Sequence, residues 1–199
     1  MSYSQNSEEQ HIARIVGDHP GRFLDIGAYN PKLFSNTRAL YERGWSGVMV
    51  EASPGPFMDL MGEYGKCDRV ELVCAAVAME RGLLRFQHSE AGVSTSDESH
   101  YQKWRDKATF EGPFFAAAIT FGDLLRCFGS DFDFVNIDVE GQSADCFLKA
   151  LESNLRPKCW CIEHDGRHAE LTPIAILNGY VQYHLNGENV IYARVFDGQ

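Results

Sequence analysis

Short apolar runs alternate with amphipathic stretches along this chain, and the alternation predicts strands and helices in turn. Glu8 to Val16 reads as a short leading helix, stopped by His19-Pro20-Gly21. Phe23-Leu24-Asp25-Ile26 is an apolar run ending in Gly27-Ala28-Tyr29-Asn30, and helical spacing follows from about Phe34 to Arg43. Trp45 to Val50 predicts a second buried strand with Glu51 at its end. Ser53-Pro54 then supplies an N-cap and first turn for a helix to about Tyr64. Val70 to Ala78 predicts a third buried strand, Arg81-Gly82 a turn, and Leu83 to Gln87 a short strand returning from it.

Farther on, Phe115 to Ile119 predicts a strand, Thr120 caps a helix to about Phe128, and Phe132 to Ile137 is the next buried strand. Gln142 to Leu151 is amphipathic, with Ala144, Phe147, Leu148 and Leu151 on one face. Lys158 to Ile162 predicts a strand, and a helix from about Ala169 to Leu177 ends at Asn178-Gly179. Val181 to Leu185 and Val190 to Val195 pair across Asn186-Gly187, a hairpin signal. The segment Ser89 to Gly112 is polar, without a clear apolar period, and reads as a mobile lid or substrate segment. The whole predicts an α/β protein of one domain, residues 1–199: a three-layer, Rossmann-like fold whose mostly parallel sheet ends in an antiparallel hairpin.

Composition narrows the partners. A hydrophobic share of 44% and a charged share of 23% are ordinary for a globular domain. A formal charge of −10 argues against a general phosphate-backbone binder, so no nucleic-acid partner is expected. No apolar run approaches the ~18 residues of a membrane span, and the polar start with Glu8 and Glu9 does not read as a signal peptide. The six cysteines contain no CxxC pair; four fall in apolar segments and read as small buried hydrophobes. A zinc site or disulfide framework is therefore not expected, and a reducing cytoplasm is.

The first strand, the Gly27 turn and the helix form the first half of a nucleotide-binding βαβ unit, and the second strand completes it. Gly27 lets the backbone turn tightly and pass close to a ligand. Glu51 stands where a carboxylate can accept hydrogen bonds from both hydroxyls of an adenosine ribose. The plainer reading is an ordinary βαβ unit with incidental carboxylates at its solvent end.

In order along the chain, Leu24-Asp25-Ile26-Gly27-Ala28, Phe34-Ser35-Asn36-Thr37, Gly44-Trp45-Ser46-Gly47 and Val50-Glu51 are followed by Ala75-Ala76-Val77, Thr120 to Leu125, Ile137-Asp138-Val139-Glu140-Gly141 and Ile162-Glu163-His164. This ordered set resembles the FkbM-type class I S-adenosylmethionine-dependent methyltransferases. It departs from them at Tyr29, where an asparagine is usual, at Pro31, where a glycine is, and at Gln142-Ser143. The resemblance implies a seven-stranded sheet and S-adenosylmethionine as cofactor. Asp25, Gly27, Ala28 and Tyr29 would face its amino-acid portion, Glu51 its ribose, Ala52 and Ser53 the adenine edge, with backbone contacts from Ala76 and a further contact from Asp138. The alternative for Asp25 is a carboxylate satisfied by nearby backbone amides.

Asp138 and Glu140 follow one strand and Glu163, His164 and Asp165 end the next, so parallel neighbours would bring the two clusters to one mouth. His164 is the candidate proton acceptor, with Asp138 as its orienting carboxylate; a buried histidine bonded to a strand end is its rival. Asp138, Glu163 and Asp165 offer oxygens suited to a hard divalent ion, and a hydrogen-bonded loop pair without metal is the preferred alternative. Ser94, Tyr101, Lys103, Trp104 and Arg105 are candidate acceptor contacts. The expected activity is methyl transfer to a hydroxyl of a sugar or other small metabolite. The rivals are a non-catalytic binding or scaffold protein of the same descent and an NAD-dependent oxidoreductase.

Overall fold

The computed structural model describes residues 2–89, 92–153 and 155–195, so Met1 and, within the expected lid, Glu90 and Ala91 lie outside the described residues. Its centre is a seven-stranded sheet. In chain order the strands are β1 (Arg22–Ile26), β2 (Ser46–Glu51) and β3 (Val70–Cys74), then β7 (Phe134–Ile137), β8 (Cys159–Glu163), β9 (Tyr180–Leu185) and β10 (Asn189–Arg194). They lie in the order β3-β2-β1-β7-β8-β10-β9. All pairings are parallel except those of β10, which runs antiparallel to both β8 and β9. The order reverses between β1 and β7, and in open parallel sheets a ligand binds at the carboxyl ends beside that reversal.

Alternation along the strands sends side chains to both faces, and each face buries an apolar layer. Leu24, Ile26, Val135, Ile137, Trp160 and Ile162 pack with α5 (Phe121–Phe128), α6 (Ser143–Leu151) and α7 (His168–Leu177). Phe23, Met49, Phe134, Cys159 and Cys161 pack on the other face with α1 (Glu8–Val16), α2 (Arg38–Glu42) and α3 (Pro54–Tyr64). Thr120 opens α5 through a reciprocal capping box with Asp123, whose carboxylate also holds Arg81. Among the described residues no helix is long and apolar enough to cross a membrane.

Four expectations need correction. The helix expected from Phe34 begins only at Arg38, because Phe34 is left-handed at φ 60° and Asn36 and Thr37 are committed to buried polar bonds. The third buried strand is an edge strand, half exposed, and it stops at Cys74. Beyond it the chain enters a second, three-stranded sheet: β4 (Ala76–Val77), β5 (Gly82–Gln87) and β6 (Pro113–Ile119), ordered β4-β6-β5. The polar segment before β6 is not featureless, since it contains α4 (Glu98–Trp104), capped by Asp97. Finally, the six cysteines are free and only Cys146, Cys159 and Cys161 are buried.

Candidate active site

The turn after β1 shapes the floor of the site. Gly27 has φ 82°, and a Cβ placed on it would lie 1.6 Å from the carbonyl oxygen of Asp138. The loops leaving β1 and β7 therefore touch backbone to backbone, which only glycine allows. The amides of Gly27 and Ala28 both donate to the Val50 carbonyl, at 2.9 and 3.1 Å, drawing this loop toward the end of β2.

Glu51 completes that junction. Its Oε2 accepts the Tyr29 amide at 2.9 Å and its Oε1 the Ser53 amide at 2.6 Å. The Ser53 hydroxyl and the Ala52 amide bond the same carboxylate. Burial pushes the Glu51 carboxyl above its ordinary range, opposed by these amide bonds. Asp25 is not satisfied by backbone amides as the alternative expected: Thr37 Oγ1 donates to it at 2.5 Å and Asn136 Nδ2 at 2.9 Å. Side chains, not backbone amides, hold it, and burial raises its pKa against those two bonds.

These groups line one cavity of about 400 Å³, within the ~300–1,000 Å³ usual for small-molecule sites. Asp25, Gly27, Ala28, Tyr29, Glu51, Ala52, Ser53, Ala76 and Asp138 all border it, as do Ser94, Lys103 and Trp104. Tyr101 and Arg105 do not border it, and the Tyr101 ring packs edge-on against Phe110 at 4.9 Å.

β7 and β8 are adjacent and parallel, so their carboxyl ends meet. The acids brought together are Asp138, Glu140 and Glu163, with one oxygen of each within 4.8 Å of the others. Such a set can hold a hard cation or share protons. Asp165, expected in the metal-binding alternative, turns instead toward a second cavity bordered by Asp97, Lys103, Asp145 and Arg167. Burial and the neighbouring Glu163 and Glu140 charges push Asp138 well above the usual carboxylate range. Burial, with Glu140 and Asp165, pushes Glu163 up to about 7, eased by bonds from Asp138 and from Ser143, whose Oγ donates to Glu163 Oε2 at 3.0 Å.

His164 does not fill the role expected of it. Its Nδ1 accepts the Gly166 amide at 2.9 Å, so the proton sits on Nε2, which lies 3.1 Å from the Asn186 carbonyl. The ring is buried, both nitrogens are used, and it does not border the cavity. It ties the end of β8 to the β9–β10 turn. The histidine near the acids is His100 of α4, whose Nε2 lies 2.9 Å from Glu140 Oε2. Burial lowers its pKa, but that pairing and the charges of Glu163 and Asp165 outweigh it and raise it. The same loop receives Thr95, whose Oγ1 donates to the Glu140 carbonyl at 2.7 Å. A Cβ on Gly141 would stand 2.7 Å from that of His100. The polar segment is thus docked on the loop after β7.

Sequence reasoning also missed Phe34, Asn36, Asn136, Asn189, Glu188 and Gln5 on the cavity wall. Two signals were present: Phe34 and Asn36 stand in the Phe34-Ser35-Asn36-Thr37 stretch that carries the resemblance, and Asn136 is a polar residue inside the apolar run Phe134 to Ile137.

The sheet order, the terminal hairpin and the cavity at the β1/β7 reversal define a Rossmann-like methyltransferase fold. The sequence pattern of the Methyltransferase FkbM domain matches residues 25–183, and the chain belongs to that family. Among solved structures it is similar to the FkbM methyltransferase of Methylobacillus flagellatus KT, with TM-score 0.56 and 12% identity, over 87% of this chain and 43% of that one. This chain therefore spans less than half the length of that relative. It is similar in fold to a candidate RNA methyltransferase, PH1948 of Pyrococcus horikoshii, with TM-score 0.53 and 12% identity over 97% and 83% of the two chains. A third neighbour is the N-terminal domain of human METTL16, with TM-score 0.53 and 12% identity over 96% and 69%. No curated protein sequence matches the chain.

Proposed function

We propose that this methyltransferase domain uses S-adenosylmethionine to methylate a hydroxyl of a sugar or other small metabolite. The observation that carries the reading is the meeting, in one cavity, of the Gly27 turn, the Glu51 carboxylate and the Asp138–Glu163 pair. The cradle fits the cofactor: Gly27 lets the loops after β1 and β7 close on each other at the floor, and Glu51 borders the cavity with a carboxylate that can accept from a vicinal diol. Ala52, Ser53 and Ala76 would flank the adenine, and Tyr29 and Asp138 the amino-acid end. S-adenosylmethionine supplies an electrophilic sulfonium methyl. The chain's task is orientation of the acceptor oxygen and removal of its proton. With His164 tied to backbone at both nitrogens, the proton acceptor we assign is the Asp138–Glu163 pair.

Calorimetric titration with S-adenosylmethionine, S-adenosylhomocysteine and NAD tests this directly. Binding of the first two without NAD supports it, and binding of NAD alone favours an oxidoreductase. Binding without turnover on any acceptor favours a non-catalytic protein. Glu51→Gln is expected to weaken S-adenosylhomocysteine by roughly 1.5–3 kcal/mol, the scale of charge-assisted hydrogen bonds. Wild-type affinity in that variant would remove the ribose assignment.

We also propose that residues 92–112 act as a lid. The segment borders the cavity through Gly92, Ser94, Lys103, Trp104 and Lys107 and rests on the loop after β7 mainly through Thr95 and His100. Its amides should exchange faster in the free protein than with S-adenosylhomocysteine bound. Equal protection in both states would make it fixed structure.

A further inference from the structure

Past the acids, the cavity wall carries three asparagines, Asn36, Asn136 and Asn189. Their amide orientations are forced from outside. Asp25 Oδ1 accepts from Asn136 Nδ2 at 2.9 Å, which turns Asn136 Oδ1 toward Asn36. That oxygen takes Asn36 Nδ2 at 3.0 Å, so Asn36 Oδ1 is left over, buried and without a partner among the described residues. Glu8 imposes the same on the other side. Burial raises its pKa, but bonds from Asn6, Asn186 and Asn189 outweigh it, so Glu8 is ionised and only accepts. It takes Asn189 Nδ2 at 2.9 Å, and Asn189 Oδ1 is likewise buried and unpartnered.

The two leftover carbonyls share one face of the sheet. Asn36 Nδ2 lies 3.6 Å from Cys161 Sγ, and Asn189 pairs in register with Glu163. Cys161 and Glu163 are two apart in β8 and point the same way. Buried polar atoms in folded proteins are partnered as a rule. Flipping either amide to find a donor would set its NH2 away from a carboxylate or carbonyl that needs it.

We propose that Asn36 Oδ1 and Asn189 Oδ1 form the acceptor-recognition pair of this site. They accept hydrogen bonds from two donor groups, hydroxyl or ammonium, on one small unphosphorylated molecule. The proposal rests on the methyltransferase reading of the same cavity and names what it recognises. A phosphate here would set its oxygens against two carbonyl oxygens and the acidic side chains of Asp138, Glu163 and Glu188, which border the same cavity. The lysines of the cavity, Lys103 and Lys107, come from the lid side.

The test is calorimetric titration of the protein, saturated with S-adenosylhomocysteine, against hexoses, inositols and hexosamines and the monophosphate of each. Unphosphorylated members should bind, hexoses and inositols reporting hydroxyl donors and hexosamines ammonium, with their monophosphates at least tenfold weaker. Asn189→Leu and Asn36→Leu should each weaken the bound member at least tenfold, with S-adenosylhomocysteine affinity retained as the check on folding. Binding of no unphosphorylated member, preference for a monophosphate, or unchanged affinity in both variants would overturn the proposal. The panel on the wild type stands even where a variant fails to fold. Failure of S-adenosylhomocysteine to bind the wild type would instead overturn the cofactor reading.

Discussion

Gly27→Ala is expected to abolish S-adenosylhomocysteine binding and to destabilise the domain by at least about 3 kcal/mol, the upper part of the range for single substitutions. Two costs combine. The residue sits at φ 82°, where an L side chain costs roughly 1–2 kcal/mol, and its Cβ would occupy the Asp138 carbonyl. Relief requires pushing the loops after β1 and β7 apart, and those loops carry Tyr29 and Asp138 to the cavity. Gly17 separates the two costs, because it has φ 77° with nothing within 4 Å of its Cβ position. Gly17→Ala should lose only the backbone term and leave binding intact. Urea unfolding and calorimetry read both effects, and equal behaviour of the two variants would show that the Gly27–Asp138 contact does not matter.

The second large effect is expected at Glu163. Its carboxyl ordinarily titrates near 4.5 and here is pushed up to about 7 by burial and by Glu140 and Asp165. Below pH 4.5 the group is protonated in both folded and unfolded chains, and its contribution to stability is fully present. As pH rises toward 7 the unfolded chain gives up this proton first. Stability therefore falls, by up to about 3 kcal/mol, until the folded group also ionises. Glu163→Gln should remove that fall and make the free protein more stable than wild type at pH 8. Ser143 Oγ can still donate to the glutamine carbonyl.

Activity should move the opposite way. A carboxylate must be ionised to accept the acceptor proton, so turnover should climb with pH through about 7. In Glu163→Gln it should fall roughly 10²–10⁴-fold and lose that limb. The groups facing Glu163 are Asp138 and Glu140 after β7, Ser143 on α6, Asp165 beyond β8, Asn189 on β10 and His100 on α4. His100 bears on it directly by charge and also through its pairing with Glu140. A pH profile unchanged in Glu163→Gln would move the proton acceptor to Asp138 alone. Restoration of activity by added Mg²⁺ after chelation would assign the three acids to a metal instead.

Much of the fold was determined locally and was therefore legible in the sequence. Apolar runs, the Thr120 cap and the Asn186-Gly187 turn act over a few residues, and they place β1, β2, β7, β8, α5, α6 and the terminal hairpin within a residue or two. The positions of Gly27, Glu51 and Asp138 followed as well, because strand ends in a parallel sheet converge at one edge. What the tertiary structure decided is which neighbour each polar group meets. Nothing local shows that Glu8 would hold Asn189, that Asp25 would draw in Thr37 and Asn136, or that His100 would cross to Glu140. His164 read as a base because its type and place suit one, and only the fold brought the Gly166 amide and the Asn186 carbonyl to its two nitrogens. Val70 to Ala78 read as one buried strand because apolarity records burial but not which sheet supplies it. That run lies on the edge of one sheet to Cys74 and enters another at Ala76. Periodicity encodes which way a side chain faces, whereas hydrogen-bond partners far apart in sequence are fixed only when packing brings them together.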